Sequence, residues 1–222
     1  MATRMTSSHA GLMDEIYRSQ RHIYDATRKY YLLGRDRMID GLDVPHGGTV
    51  LEMGCGTGRN LVRIAQQFPD CRLYGVDISA EMLKSARDKI AHKGLSDRIT
   101  VAEGDAAGFD SDALFRRRRY DRIVCSFTLS MIPDWQAAMR WALWLLAPQG
   151  SLHVVDFGMQ HRMPSAFRAL LFQWLKLFHV EPRAELEEYA QNLARTLNQD
   201  CDIKQLYRGY SRIVVIRPPQ NR

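Results

Sequence analysis

Three features of the sequence predict an α/β fold, a mostly parallel sheet of seven strands with flanking helices. The short apolar run Thr49–Met53 breaks into Gly54, Gly56 and Gly58 at alternate positions, then passes into helical periodicity over 59–68. A second apolar run, 73–76, ends on the acid Asp77. From there to Phe157, strand-like and helix-like patterns alternate, as they do when parallel strands are joined by crossover helices.

The elements follow in order. Residues 1–11 are polar and read as disordered. Residues 12–42 carry a helical pattern in one or two pieces, with Tyr17, Tyr24, Arg28, Tyr31 and Arg35 on one face. That face reads either as a packing stripe or as a lid over a ligand edge. Strands are expected at 49–53, 72–76, 99–103, 121–126 and 151–157, with two closing strands at 201–207 and 211–217. Ser79 and Asp134 stand where side chains cap the helices that follow them, and a last helix is expected over 183–197. An amphipathic insertion, 158–182, follows strand five. Its helix, 164–180, puts Phe167, Leu170, Leu171, Trp174, Leu175, Leu177 and Phe178 on one face. Arg168, Gln173, Lys176 and His179 lie opposite, with Phe172 among them. It reads as core packing or as a face for an interface or an acyl chain. The run Arg116-Arg117-Arg118-Arg119 reads as a solvated loop or as a contact for acidic lipid headgroups.

The 222 residues suit a single domain, 1–222, with a sizeable core. Cys55, Cys71, Cys125 and Cys201 are widely spaced and form no C-x-x-C, so they read as reduced core residues with no metal site. The first residues lack the apolar stretch of a secretory leader, and no apolar run is long enough to span a bilayer. A net charge of +6 and an isoelectric point near 9.3 favour a polyanionic partner, nucleic acid or an acidic membrane surface.

The glycine spacing is E-x-G-x-G-x-G, not the G-x-G-x-x-G of a pyrophosphate-binding turn. It resembles motif I of the class I S-adenosylmethionine (SAM)-dependent methyltransferases, which are Rossmann-like. The resemblance implies that Glu52, Gly54, Gly56, Gly58 and Asn60 cradle the amino-acid tail of SAM. It gives Asp77 the ribose, Ile78 the adenine face, and Asp105 with Ala106 the adenine amine. Ser126 and Phe127 would line the sulfonium, and Ser130 the acceptor. All of these lie at or beyond strand carboxyl ends, where open α/β sheets bind ligands.

A closer resemblance covers nearly the whole chain. Residues 23–35, IYDATRKYYLLGR, and the tail 207–212, YRGYSR, look like the diacylglycerylhomoserine N-methyltransferases of betaine-lipid synthesis. That family implies three successive methylations of the headgroup amine, giving diacylglyceryl-N,N,N-trimethylhomoserine. It also implies a functional partner, the aminocarboxypropyl transferase that makes the substrate. Tyrosine faces suit a growing methylated cation, which makes Tyr24 and Tyr31 the first catalytic candidates, then Tyr17 and Tyr210 as binding residues. Arg28, Arg35 and Arg208 are candidates for the substrate carboxylate, with surface or structural ion pairs as the other reading. His153, inside strand five, reads as a satisfied core residue. The expected location is the cytoplasm, against the inner face of the cytoplasmic membrane. The competing readings are a SAM enzyme acting on RNA or another small amine, and a non-catalytic SAM-fold binding protein. A nicotinamide dehydrogenase is disfavoured by the glycine spacing, and nucleic acid by the scatter of the basic residues.

Overall fold

The structure, a computed structural model, describes residues 31–219. Its centre is a seven-stranded sheet in the order β3-β2-β1-β4-β5-β7-β6. The strands are β1 (Thr49–Met53), β2 (Arg72–Asp77), β3 (Ile99–Glu103), β4 (Tyr120–Ser126), β5 (Leu146–Phe157), β6 (Asp200–Leu206) and β7 (Ser211–Arg217). The pairs among β1 to β5 are parallel, and β7 enters antiparallel between β5 and β6. All of β1 is buried, as a strand covered on both faces must be.

The helices are α1 (Arg35–Asp40), α2 (Arg59–Gln67), α3 (Ala80–His92), α4 (Ser111–Phe115), α5 (Trp135–Trp144), α6 (Ser165–Lys176) and α7 (Leu186–Thr196). They form two layers with separate cores. Met38, Ile39, Leu61, Ile64, Leu83 and Leu175 pack on one face of the sheet. Phe115, Trp135, Met139, Leu186 and Ala190 pack on the other. The two-residue period of β1 sorts its side chains accordingly: Val50 joins the first core, Leu51 and Met53 the second. Glu52 therefore projects toward α2. The caps read from the sequence are present: Ser79 Oγ accepts from Met82 N at 3.3 Å, and Asp134 Oδ1 from Ala137 N at 3.2 Å.

Several expectations need correction. The stretch expected as part of a lid, 31–42, belongs to the body of the fold. Gly34, at φ +107°, breaks the helical run, and α1 then buries Met38, Ile39 and Leu42 against the sheet. A side chain at 34 would meet Leu206 at 2.9 Å, so the break and the close approach both require glycine. The lid reading of 1–30 lies outside the described residues.

The insertion helix α6 is present but turned. Leu171, Phe172, Trp174, Leu175 and Phe178 pack on the body, while Phe167, Leu170 and Leu177 face out. Phe172, assigned to the polar side, packs inward. The arginine run is a solvated loop, as read, with Arg116, Arg118 and Arg119 exposed, though three of the four make local contacts. Arg118 pairs with Asp112 at 2.6 Å, Arg117 lies over the Tyr74 ring, and Arg119 lies 4.9 Å from the centre of the Trp144 ring. It also sits at the amino end of β4, about 20 Å along the strand from the carboxyl end. His153 is a core residue as read: it is buried and bonded to Ser151 Oγ at 2.8 Å, and burial, then Arg122 and Arg217, lower its pKa to about 3.

Candidate active site

At the carboxyl end of β1 the chain turns back on β2. Gly54 N and Cys55 N both donate to Val76 O, at 2.8 and 3.0 Å. Gly54, Gly56 and Gly58 all have positive φ, which side-chain-bearing residues rarely adopt. At Gly54 space matters as well, because a Cβ there would stand 2.2 Å from Thr128 Cγ2. The loop and the segment after β4 thus close on each other with room only for backbone.

Glu52 lies beneath this loop, 1% exposed. Its Oε1 accepts from Asn60 Nδ2 at 2.7 Å, whereas Oε2 is buried with no hydrogen-bond partner. Burial raises its pKa to about 8, against the opposing pull of the Asn60 bond and the Arg35 charge. An unpaired buried carboxyl oxygen is costly unless a ligand completes it. Asn60 thus acts on Glu52, fixing its rotamer, and Arg35 is buried at the start of α1 close enough to bias the same carboxyl.

The next two strand ends complete this side. Asp77 Oδ2 accepts from Gly56 N at 2.7 Å and Oδ1 from Ser79 N at 3.0 Å, so one carboxylate ties the glycine loop to the start of α3. Ile78 is half-buried beside it. Gly104 N donates to Asp77 O, which draws the end of β3 alongside. Asp105 follows, with Oδ1 accepting from Ala107 N at 2.9 Å, and Ala106 is buried. Glu52, the three loop glycines, Asp77, Ile78, Asp105 and Ala106 therefore share the carboxyl ends of β1, β2 and β3, as expected.

After β4 the picture is mixed. Ser126 is half-buried and its Oγ has no partner. The Phe127 ring is in the core, edge-on to Phe157 at 4.7 Å, while its backbone takes φ +54°. Phe127 thus shapes the loop from below and does not present a ring to a ligand. Ser130 is fully buried, with its N–H on Asp156 Oδ2 at 3.0 Å and its carbonyl accepting from Glu181 N. Asp156 was missed in the sequence. It stands near the carboxyl end of β5, with Arg212 opposite on β7, and Arg212 in turn pairs with Glu187 of α7 at 2.9 Å. The signal was an acid near a strand's carboxyl end, as at Glu52 and Asp77.

Beside the start of β7, Tyr31 and Tyr210 meet: Tyr210 OH donates to Tyr31 O at 2.8 Å, and the Tyr31 ring stands edge-on to Trp174 of α6 at 4.7 Å. Tyr210 is buried, which raises its pKa to about 12, so its hydroxyl holds the chain at Tyr31 and is not poised to ionise. Arg208 is exposed, at φ +59° in the 207–209 turn. Tyr17, Tyr24 and Arg28 lie outside the described residues. Gln160 was not foreseen. It is 0% exposed just past β5, with its backbone N on Gly209 O, and neither its Oε1 nor its Nε2 has a partner. No local pattern in the sequence marks it.

Residues 50–150 match a family model described as a methyltransferase domain. Among curated proteins, the tRNA1(Val) (adenine(37)-N6)-methyltransferase of Porphyromonas gingivalis is 34% identical over 163 residues, covering 63% of this chain and 64% of that protein. The chain spans about a quarter to two thirds of the length of the curated relatives it matches. An O-methyltransferase family protein from Burkholderia thailandensis superposes with a TM-score of 0.68 at 16% identity, over 99% of this chain and 71% of that one. Phosphoethanolamine N-methyltransferase 2 of Haemonchus contortus, in complex with SAM, does so with 0.67 at 16% identity, over 84% and 52%. The fold is the Rossmann-like fold of these enzymes. Sheet, glycine loop and the match over residues 50–150 are similar to those of class I SAM-dependent methyltransferases, and the cofactor that this similarity implies is SAM. The residues fit that cofactor: the open Glu52 oxygen suits the α-ammonium of its tail.

Proposed function

We propose that this protein N-methylates the amine of a diacylglyceryl-homoserine headgroup, three times in succession, to give the trimethyl betaine lipid. The observation that carries the reading is the meeting of Tyr31, Tyr210 and Trp174 beside the cofactor end of the sheet, with the orphan amide of Gln160 near the same turn. Bound SAM supplies a methyl on a sulfonium, which an amine lone pair takes by in-line displacement, leaving S-adenosylhomocysteine. The chain must then bind, align and keep out water, and such positioning carries much of the rate.

The roles divide by charge. Glu52, held by Asn60, receives the ammonium of the cofactor tail, and Arg35 receives its carboxylate. This moves Arg35 from the lipid carboxylate to the cofactor, because its charge bears on Glu52. Asp77 takes the ribose, while Asp105 and Ala106 flank the adenine. Ser126 faces the sulfonium with its unpartnered hydroxyl. Aromatic faces at Tyr31, with Tyr24 and Tyr17 as further members, hold the methylated cation. Gln160 Oε1 accepts an amine N–H and thereby aims the lone pair. The neutral dimethylamine that attacks in the third transfer has no N–H left, so Gln160 aims only the first two attacks and the aromatic faces align the third. The proton lost before each attack passes to water.

The lipid reading places the protein on the inner face of the cytoplasmic membrane, next to the aminocarboxypropyl transferase that supplies its substrate. The RNA-methylating relative favours a second reading. A base drawn into such a site is held by aromatic stacking, and the ring after β4, Phe127, is buried edge-on to Phe157 and gives no face for it. The test is expression in a host that makes the homoserine lipid but not its methylated forms. Lipid mass spectrometry should then show the mono-, di- and trimethyl species, and unchanged lipids with expressed, folded protein would refute the reading.

A further inference from the structure

We propose that α6 docks the protein on an anionic lipid bilayer through the outward row Phe167, Leu170 and Leu177. This deepens the lipid reading of the site and rests on it only for what is delivered there. Phe167 is 44% exposed, Leu170 68% and Leu177 72%. They are three and seven residues apart, about one and two helical turns, so they form one ridge along the helix and its αR cap. The helix does not need this ridge to stay attached. Leu175, Leu171, Phe172 and Trp174 already pack it onto the body.

The charge around the ridge identifies the occupant. Residues 158–180 contain no Asp or Glu, but they hold Arg162, Arg168 and Lys176, with His161 and His179. An outward apolar ridge on a segment with cations and no acid has the composition of a helix lying in an anionic membrane interface. A second copy fits poorly, because two-fold packing through this helix would bring two basic segments together. The inner face of the same helix reaches the site, through Trp174 to Tyr31 and through Phe178 to Met82 in the first turn of α3. Docking by α6 therefore turns the acceptor side toward the lipid. The arginines at 116–119 take no part, since they lie at the opposite end of β4 and are engaged there.

The test uses the full chain with vesicles of phosphatidylcholine, with and without phosphatidylglycerol. The protein should pellet with the anionic vesicles and be released by high salt. Leu170→Glu with Leu177→Glu should weaken this roughly tenfold or more, since two buried leucines are lost. An Arg117→Ala, Arg118→Ala pair should pellet like wild type. Binding of S-adenosylhomocysteine serves as the folding control. Should the leucine variant lose that binding, quenching of wild-type tryptophan fluorescence by bromine-labelled lipids decides without it, because Trp174 lies beside the ridge. Equal pelleting of a folded leucine variant and wild type would overturn the proposal. So would a wild type that stays in solution, or a dimer that the leucine substitutions dissolve. Pelleting without any lipid methylation would leave the docking standing and remove the substrate assignment.

Discussion

Glu52 carries the clearest electrostatic consequence. Its carboxyl holds a proton up to about pH 8 in the folded chain, against 4.5 for an ordinary glutamate. Its contribution to stability is therefore full below about pH 4.5 and lost as pH rises through 8. Cofactor binding reverses the preference, because an ammonium favours the carboxylate. SAM affinity should climb between about pH 6 and 8 with proton release, then fall as the cofactor's own α-amine deprotonates near 7.7–8.0. Calorimetry in buffers of different ionisation enthalpy measures that release, and Glu52→Gln should weaken binding and abolish the rising limb. Gln160 makes the opposite kind of prediction. An unpaired buried amide costs about 1–3 kcal/mol, so Gln160→Met should melt at or above the wild-type temperature while turnover falls and SAM affinity holds. Unchanged turnover would reduce Gln160 to a packing residue. Glu52 and Asp77 were legible because an acid at a strand end has a local signature. Gln160 was not, since its isolation is a property of the packed fold.

Among the elements, the glycine loop was readable in full and α6 only in part. Gly54→Ala should cost SAM affinity heavily, because its methyl falls on Thr128, and Thr128→Gly in the same chain should restore part of it. Binding measured by calorimetry for both variants checks this; no rescue would mean that the positive φ alone causes the loss. For α6, periodicity finds an apolar arc but not which edge of it the body covers. Phe172 packs inward and Leu170 outward because the partner surface, set by Tyr31, Met82 and Met131, comes from distant parts of the chain. The arginine run is a solvated loop as read, but its contacts were not legible, because Asp112, Tyr74 and Trp144 come from a helix, a strand and another helix that converge only in the fold.

For the molecule as a whole, the mostly parallel sheet with flanking helices follows from alternating patterns, and the strands lie within a residue or two of their expected bounds, except that β5 begins earlier, at Leu146. What the pattern leaves out is charge inside the body. His153 is held neutral, with its pKa lowered from 6.5 to about 3 by burial and by Arg122 and Arg217. The unfolded chain takes up that proton below about pH 6.5, so stability should decline as pH falls from 6.5 toward 5, and His153→Gln should flatten that slope in thermal melts. The central claim concerns chemistry at the other end of the sheet. Purified protein, vesicles containing diacylglyceryl-homoserine, and SAM carrying a deuterated methyl test it directly by mass spectrometry of the extracted lipid. The account predicts lipid labelled in turn with one, two and three deuterated methyl groups on the amine. Label found on RNA or a soluble amine, with none on the lipid, would contradict it.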